Sequence, residues 1–183
     1  MLEQQIIENC APTLAALKTG NLFSCPCSIA EDLVLELQKL NESLNPKGVF
    51  LEMLSCREGR ALIYAYRPDR LWRDLSTERV QKLLSAYGYT FSSVATCLGR
   101  LKARLYQCPC FPHEIGVFLG YPIDDVIGFI RHGGRNCKFC GLWKVYCNET
   151  QAQKTFAAFR KCSAVYARVF AEGRSIIQMT VAT

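Results

Sequence analysis

Long hydrophobic runs are missing from this 183-residue chain. Each apolar stretch is broken by charge well short of the ~20 residues that cross a bilayer, so no membrane span is expected. The opening MLEQQIIENCAPTLAALK carries acidic residues early and has no basic segment before a long apolar core, so it does not read as a signal peptide. No run of like charge forms a nucleic-acid arm, and no aromatic–basic motif matches an RNA-binding module. Nucleic acid is therefore not expected as a partner, although the net charge is +6. No serine stands in a nucleophile elbow and no glycine loop offers a phosphate cradle. The glycines of RHGGRN follow a helix and precede a strand, the reverse of the phosphate-binding order. Repeats, linkers and low-complexity tracts are also absent. What remains is a cytoplasmic protein forming a single domain over 1–183.

Half of the residues are hydrophobic and 21% are charged, an ordinary globular balance that excludes disorder. The chain is long enough to bury a core without staples. It is also cysteine-rich, with eleven. With no export signal they read as reduced thiols, and Cys10, Cys97 and Cys162 fall on apolar helix faces as small hydrophobes.

The pattern of elements predicts an α+β fold. Leu2, Ile6, Ile7 and Cys10 have helical spacing, and Pro12 is expected to end that helix and start a second one running to Lys18. TGNLFSCPC reads as loop. Ser28 and Glu31 are spaced as a capping box ahead of a helix carrying Leu33, Leu37, Leu40 and Leu44, which NPKG ends. VFLEML and ALIYAYR, joined by SCREG, read as an antiparallel hairpin. Helices follow around Val80–Tyr87 and Val94–Leu105, then two short ones at 112–119 and 122–132. GLWKVYC reads as a strand, Asn148 as the cap of a long helix closed by Gly173, and SIIQMTVA as a last strand. A strand, helix and strand with tight connections imply a parallel crossover, so a small mixed sheet packed with several helices is expected.

Two spacings carry chemistry. Cys-Pro-Cys occurs at Cys25/Cys27 and at Cys108/Cys110, and Cys-x-x-Cys at Cys137/Cys140. Two such pairs brought together would supply the four soft ligands of a structural metal, against the plainer reading as core and loop cysteines. The second is FPHE. With Pro112 as first helical residue, His113 and Glu114 fall in the first turn, where the helix dipole disfavours imidazolium. A neutral imidazole ligates metal or takes a proton. The plainer reading has Glu114 complementing the dipole and His113 bonding backbone. Asp124 and Asp125 read as dipole partners, His132 as a cap of the helix C-terminus, and Lys144 as a solvent-facing residue opposite Trp143 and Val145. Lys18 reads as a charge closing a short helix, or, if buried, an anion anchor.

CAPTLAALKTGNLF, FPHEIGVFLGYPIDDVIGFI and GLWKVY, followed by a long helix, together resemble an uncharacterised bacterial family, domain of unknown function 3793. The likeness covers nearly the whole chain in the same order. The family's pattern takes in the positions of Pro12, Lys18, His113, Glu114, Gly116, Tyr121, Trp143, Lys144 and Tyr146. It requires neither both Cys-Pro-Cys pairs nor Cys137/Cys140, which lowers the metal reading. The resemblance implies metal or redox physiology and names no activity or cofactor. The expected function is a cytosolic binding or accessory protein for a small anionic ligand, a metal or a metal-bearing cofactor, with Lys18, Tyr121 and Lys144 beside His113. One alternative is an enzyme using His113 as general acid or base with Glu114. Another is an interaction module whose positive charge docks an acidic redox protein.

Overall fold

The computed structural model describes residues 2–108 and 110–183. Its elements run α1 (Leu2–Leu14), β1 (Gly20–Pro26), α2 (Ala30–Leu44), a 3-10 turn (Asn45–Lys47), β2 (Phe50–Arg57), β3 (Arg60–Tyr66), α3 (Pro68–Leu75), α4 (Glu78–Ser85), α5 (Val94–Gln107), α6 (Ile115–Phe118), α7 (Ile123–His132), β4 (Phe139–Cys140), β5 (Lys144–Val145), α8 (Glu149–Ala171) and α9 (Ile176–Met179). The class is α+β. The chain forms two compact units, Met1–Leu71 with Cys162–Thr183, and Trp72–Lys161. Among the described residues both sheets are antiparallel, one ordered β1-β3-β2 and the other pairing β4 with β5. The mixed sheet and its parallel crossover do not form, because SIIQMTVA winds into α9 instead. Ser175 and Gln178 make a reciprocal capping box there, and that side-chain closure outweighs the strand preference of Ile176 and Ile177.

In the first unit, Leu2, Ile6, Ile7, Cys10 and Leu14 bury one face of α1 as their spacing requires. Pro12 does not break this helix. It falls in the last turn, where the donor it lacks would have served the carbonyl of exposed Glu8. Its own carbonyl accepts from Leu17 and Lys18 at 2.8 and 3.1 Å, so a turn follows rather than a second helix. TGNLFSCPC, read as loop, supplies β1: Phe23, Cys25 and Cys27 are buried while Ser24 and Pro26 face out. Pro26 sits at the end of an edge strand, where a missing N–H is harmless. The hairpin forms as read, turning through Glu58 (φ +50°) and Gly59 (φ +71°), the left-handed pair that a two-residue turn needs. α2 also forms, but Ile29 takes the cap position, so the expected Ser28–Glu31 box is out of register and no side chain caps it.

Arg67, just after β3, is 1% exposed. Its Nε donates to Thr13 O at 2.7 Å, Nη2 to Leu14 O at 2.9 Å and Val181 O at 2.7 Å, and Nη1 to Lys47 O at 3.2 Å and Thr183 Oγ1 at 2.8 Å. All five guanidinium donors are thereby satisfied without a carboxylate. This socket joins the end of α1, the 3-10 turn and the last residues of the chain.

In the second unit, α4 buries Val80 and Leu84, and α5 buries Cys97, Leu98, Leu101 and Leu105, as their stripes predict. Ser93 caps α5, its hydroxyl accepting from Thr96 N at 3.1 Å. The helix expected over 112–119 shrinks to the single turn of α6, with His113 and Glu114 in the bend ahead of it. α7 follows Pro122 as expected. Its end is closed by the N–H of Gly134 on Phe129 O at 3.0 Å, not by His132, whose ring stacks on Tyr146 with centroids 5.7 Å apart. GLWKVYC contributes only the two residues of β5. Asn148 caps α8 as predicted, Oδ1 accepting from Gln151 N at 3.0 Å, and Gly173 (φ +91°) closes it.

Candidate functional site

A cavity of about 290 Å3 opens in the second unit between the FPHE bend, α6, α7 and the segment around β5. Its walls are largely aromatic: Phe111, Tyr121, Phe129 and Trp143, with His113, Asp125 and Lys144 as the polar contributors. The size falls at the small end of ligand pockets, roughly 300–1,000 Å3. Trp143 is fixed on two sides, stacked on Tyr121 at 4.8 Å and 26° and edge-on to buried Phe156 at 4.4 Å and 83°. The His113 ring meets the edge of Phe129 at 4.9 Å and 63° and stays exposed. Gly116 lets α6 approach this closely, since a Cβ there would come within 2.9 Å of Val126 Cγ2 and 3.2 Å of Tyr121 Cδ2.

Lys144 is half-buried rather than solvent-facing. A two-residue strand does not impose the long alternation assumed for it, and its side chain lines the cavity beside that of Trp143. Its Nζ donates to Gly134 O at 2.6 Å and sits 5.9 Å from the Phe129 ring centre. Two further ammonium protons remain for an anion. Burial raises the Tyr121 phenol above its ordinary pKa, so its hydroxyl stays neutral.

The two neighbouring carboxylates of α7 have opposite fates. Asp124 is exposed and paired with Arg79, which holds its carboxyl below the usual range. Asp125 is 3% exposed. Its Oδ2 accepts from Trp143 Nε1 at 2.8 Å, and its Oδ1 from the N–H groups of Tyr146 and Cys147 at 2.7 and 3.0 Å. One carboxylate thus holds the Trp143 wall and the chain after it. It keeps its expected place in the first turn of α7 but does more than complement the dipole, and nothing in the DD pair distinguishes the two carboxylates by sequence.

Glu114 lies 1% exposed and does not line the cavity. It forms an ion pair with Arg104 of α5 and accepts from Tyr89 Oη at 3.2 Å. The FPHE pair is therefore divided, His113 at the cavity and Glu114 turned to the interior. Lys18 belongs to the first unit and is not among the cavity's lining residues. It is buried, and burial lowers its pKa to about 8, partly offset by Cys10.

The cysteine pairs are divided between the two units. Cys25 and Cys27 are buried in the first unit, whereas Cys108, Cys110, Cys137 and Cys140 belong to the second and are half-buried or exposed. The residue between Cys108 and Cys110 lies outside the described residues. Among the described residues no three of His, Cys, Asp and Glu are grouped to hold a metal ion. Cys10, Cys97 and Cys162 are buried, and burial pushes all three thiols up. Sequence reasoning missed Phe111, Phe129 and Asp125 as site residues. The aromatics at positions 111 and 129 were the available signal, but only folding shows that both line one cavity.

Among the described residues no helix is long and apolar enough to cross a membrane. No curated protein and no solved structure matches the chain. A family model matches residues 6–180, nearly the whole sequence. The chain belongs to that family, described as a protein of unknown function, DUF3793.

Proposed function

We propose that this is a cytosolic small-molecule binding protein whose second unit takes a planar organic anion. The observation that carries this reading is the aromatic cavity with the Lys144 ammonium in its wall. Flat apolar walls favour a planar ring, and a half-buried ammonium attracts a carboxylate or similar group more strongly than one in open water. His113, exposed at the same cavity, adds a hydrogen-bonding group at the mouth. Asp125 and Trp143 hold the wall in place before any ligand arrives, which reduces the ordering cost of binding. Binding is favoured over acid–base catalysis because both nearby carboxylates, Asp125 and Glu114, are already occupied by donors.

The test uses 2-naphthoate and its uncharged amide as probes, followed by calorimetry and by tryptophan emission. Saturable binding of naphthoate, at least tenfold preferred over the amide, is expected, with Lys144→Met removing the preference and Trp143→Ala removing binding. No saturable binding of either probe, or binding that both variants leave intact, refutes the reading.

A further inference from the structure

The Sγ atoms of Cys27 and Cys56 lie 3.3 Å apart in the first unit, Cys27 buried and Cys56 half-buried. Cys56 of β2 faces Ala61 of β3, which faces Cys25 of β1, so three positions in a row share one face of the sheet. Cys25 and Cys56 are separated by two strand spacings, about 9–10 Å. That exceeds the ~7 Å between Cα atoms that a disulfide tolerates. Cys27 differs because it lies one residue beyond β1, where the ladder ends. Its N–H still reaches Gly59 O at 2.8 Å, which draws the chain over the hairpin turn and its sulfur towards Cys56. The Sγ contact therefore favours Cys27 over Cys25 as the partner of Cys56.

We propose that Cys27 and Cys56 form a redox-responsive dithiol that a low-molecular-weight disulfide, such as oxidised glutathione, converts to an intramolecular disulfide. The half-buried Cys56 attacks first. Its thiolate takes one sulfur of the reagent, whose S–S bond breaks and releases one thiolate. Cys27 then gives its proton to that thiolate and attacks Cys56 Sγ, expelling the second reagent thiol. Two protein thiols and one reagent disulfide become one protein disulfide and two reagent thiols, with two electrons passing to the reagent. The contact with Cys56, followed by burial, pushes the Cys27 thiol up to about 11, so Cys27 stays protonated while Cys56 makes the first attack. The new bond would close a loop between positions 29 apart and tie the exit of β1 to β2.

The full chain is equilibrated in glutathione buffers of rising oxidised fraction, alkylated and mapped by mass spectrometry. The expected result is a loss of two hydrogen masses, a linked peptide joining Cys27 to Cys56, a rise in Tm of several degrees, and reversal by dithiothreitol. Cys25→Ser should retain the linked peptide and Cys56→Ser should lose it, with Cys56→Ala replacing the latter if it unfolds. The proposal is overturned if glutathione adducts accumulate without that link, if another pair dominates, or if Cys25→Ser abolishes it.

Discussion

Replacing Asp125 by asparagine changes one atom and should loosen the whole cavity wall. The carboxylate is buried and accepts three hydrogen bonds, from Trp143 Nε1, Tyr146 N and Cys147 N. In Asp125→Asn the amide oxygen can serve either the two backbone N–H groups or the indole. The amide N–H2 then faces donors on the other side. In the better arrangement the bond to Trp143 is lost, about 1.5–3 kcal/mol for a bond to a charged group, and the indole N–H is left buried without a partner, about 1–3 kcal/mol more. A net loss of about 3 kcal/mol is expected. Urea unfolding followed by circular dichroism measures it. The chain has two tryptophans, so in a Trp72→Phe background the emission reports Trp143 alone. Its spectrum should shift to the red as the indole leaves Tyr121 and Phe156, and naphthoate affinity should fall in parallel. A stability change under about 0.5 kcal/mol with an unchanged spectrum would refute the view that this carboxylate fixes the wall.

Two other perturbations test the first unit. Arg67→Met keeps the bulk but takes a donor from four carbonyls and a hydroxyl, of which only Thr13 O and Leu14 O keep a backbone donor, so a loss of about 3–5 kcal/mol is expected. Hydrogen exchange should show the Val181 amide, bonded to Leu14 O at 3.0 Å, losing protection well before the β3 amides. For Lys18, burial lowers the folded pKa from 10.5 to about 8, so between these values the unfolded chain holds more protons and stability rises with pH. Wild-type stability relative to Lys18→Met should therefore be flat below pH 8 and climb by roughly 3 kcal/mol towards pH 10.5. Parallel curves for the two proteins in urea would contradict the burial of this ammonium.

The legible parts of the fold are those in which one local signal decides. α2, α4, α5, α7 and α8 carry apolar stripes with matching turns, and the hairpin carries its glycine turn. β1 was hidden because Ser24, Cys25 and Pro26 look like loop residues, and its alternation emerges only when cysteine counts as apolar. The C-terminal segment misled in the opposite direction. Ile176, Ile177 and Val181 suggested a strand, while Ser175 and Gln178 three apart held the decisive cap. The same spacing at Ser28 and Glu31 did not close, since a neighbour one position along took the cap. At the site, His113, Tyr121 and Lys144 line one cavity, and Lys18 and Glu114 are not among its lining residues. Sequence distance hides which of two adjacent carboxylates turns inward, and that choice depends on where Trp143 and the following amides arrive.

The Arg67 socket bears on the order in which the protein can be completed during synthesis. Residues 72–161 form a continuous stretch, all of it made before Val181 and Thr183. The segment up to Leu71 waits longer, since two of the Arg67 acceptors, Val181 O and Thr183 Oγ1, lie 114 and 116 positions further along the chain. Until those residues are made, the guanidinium has only three of its five acceptors, so the first unit closes around its cation after the second unit's residues are already in place along the chain.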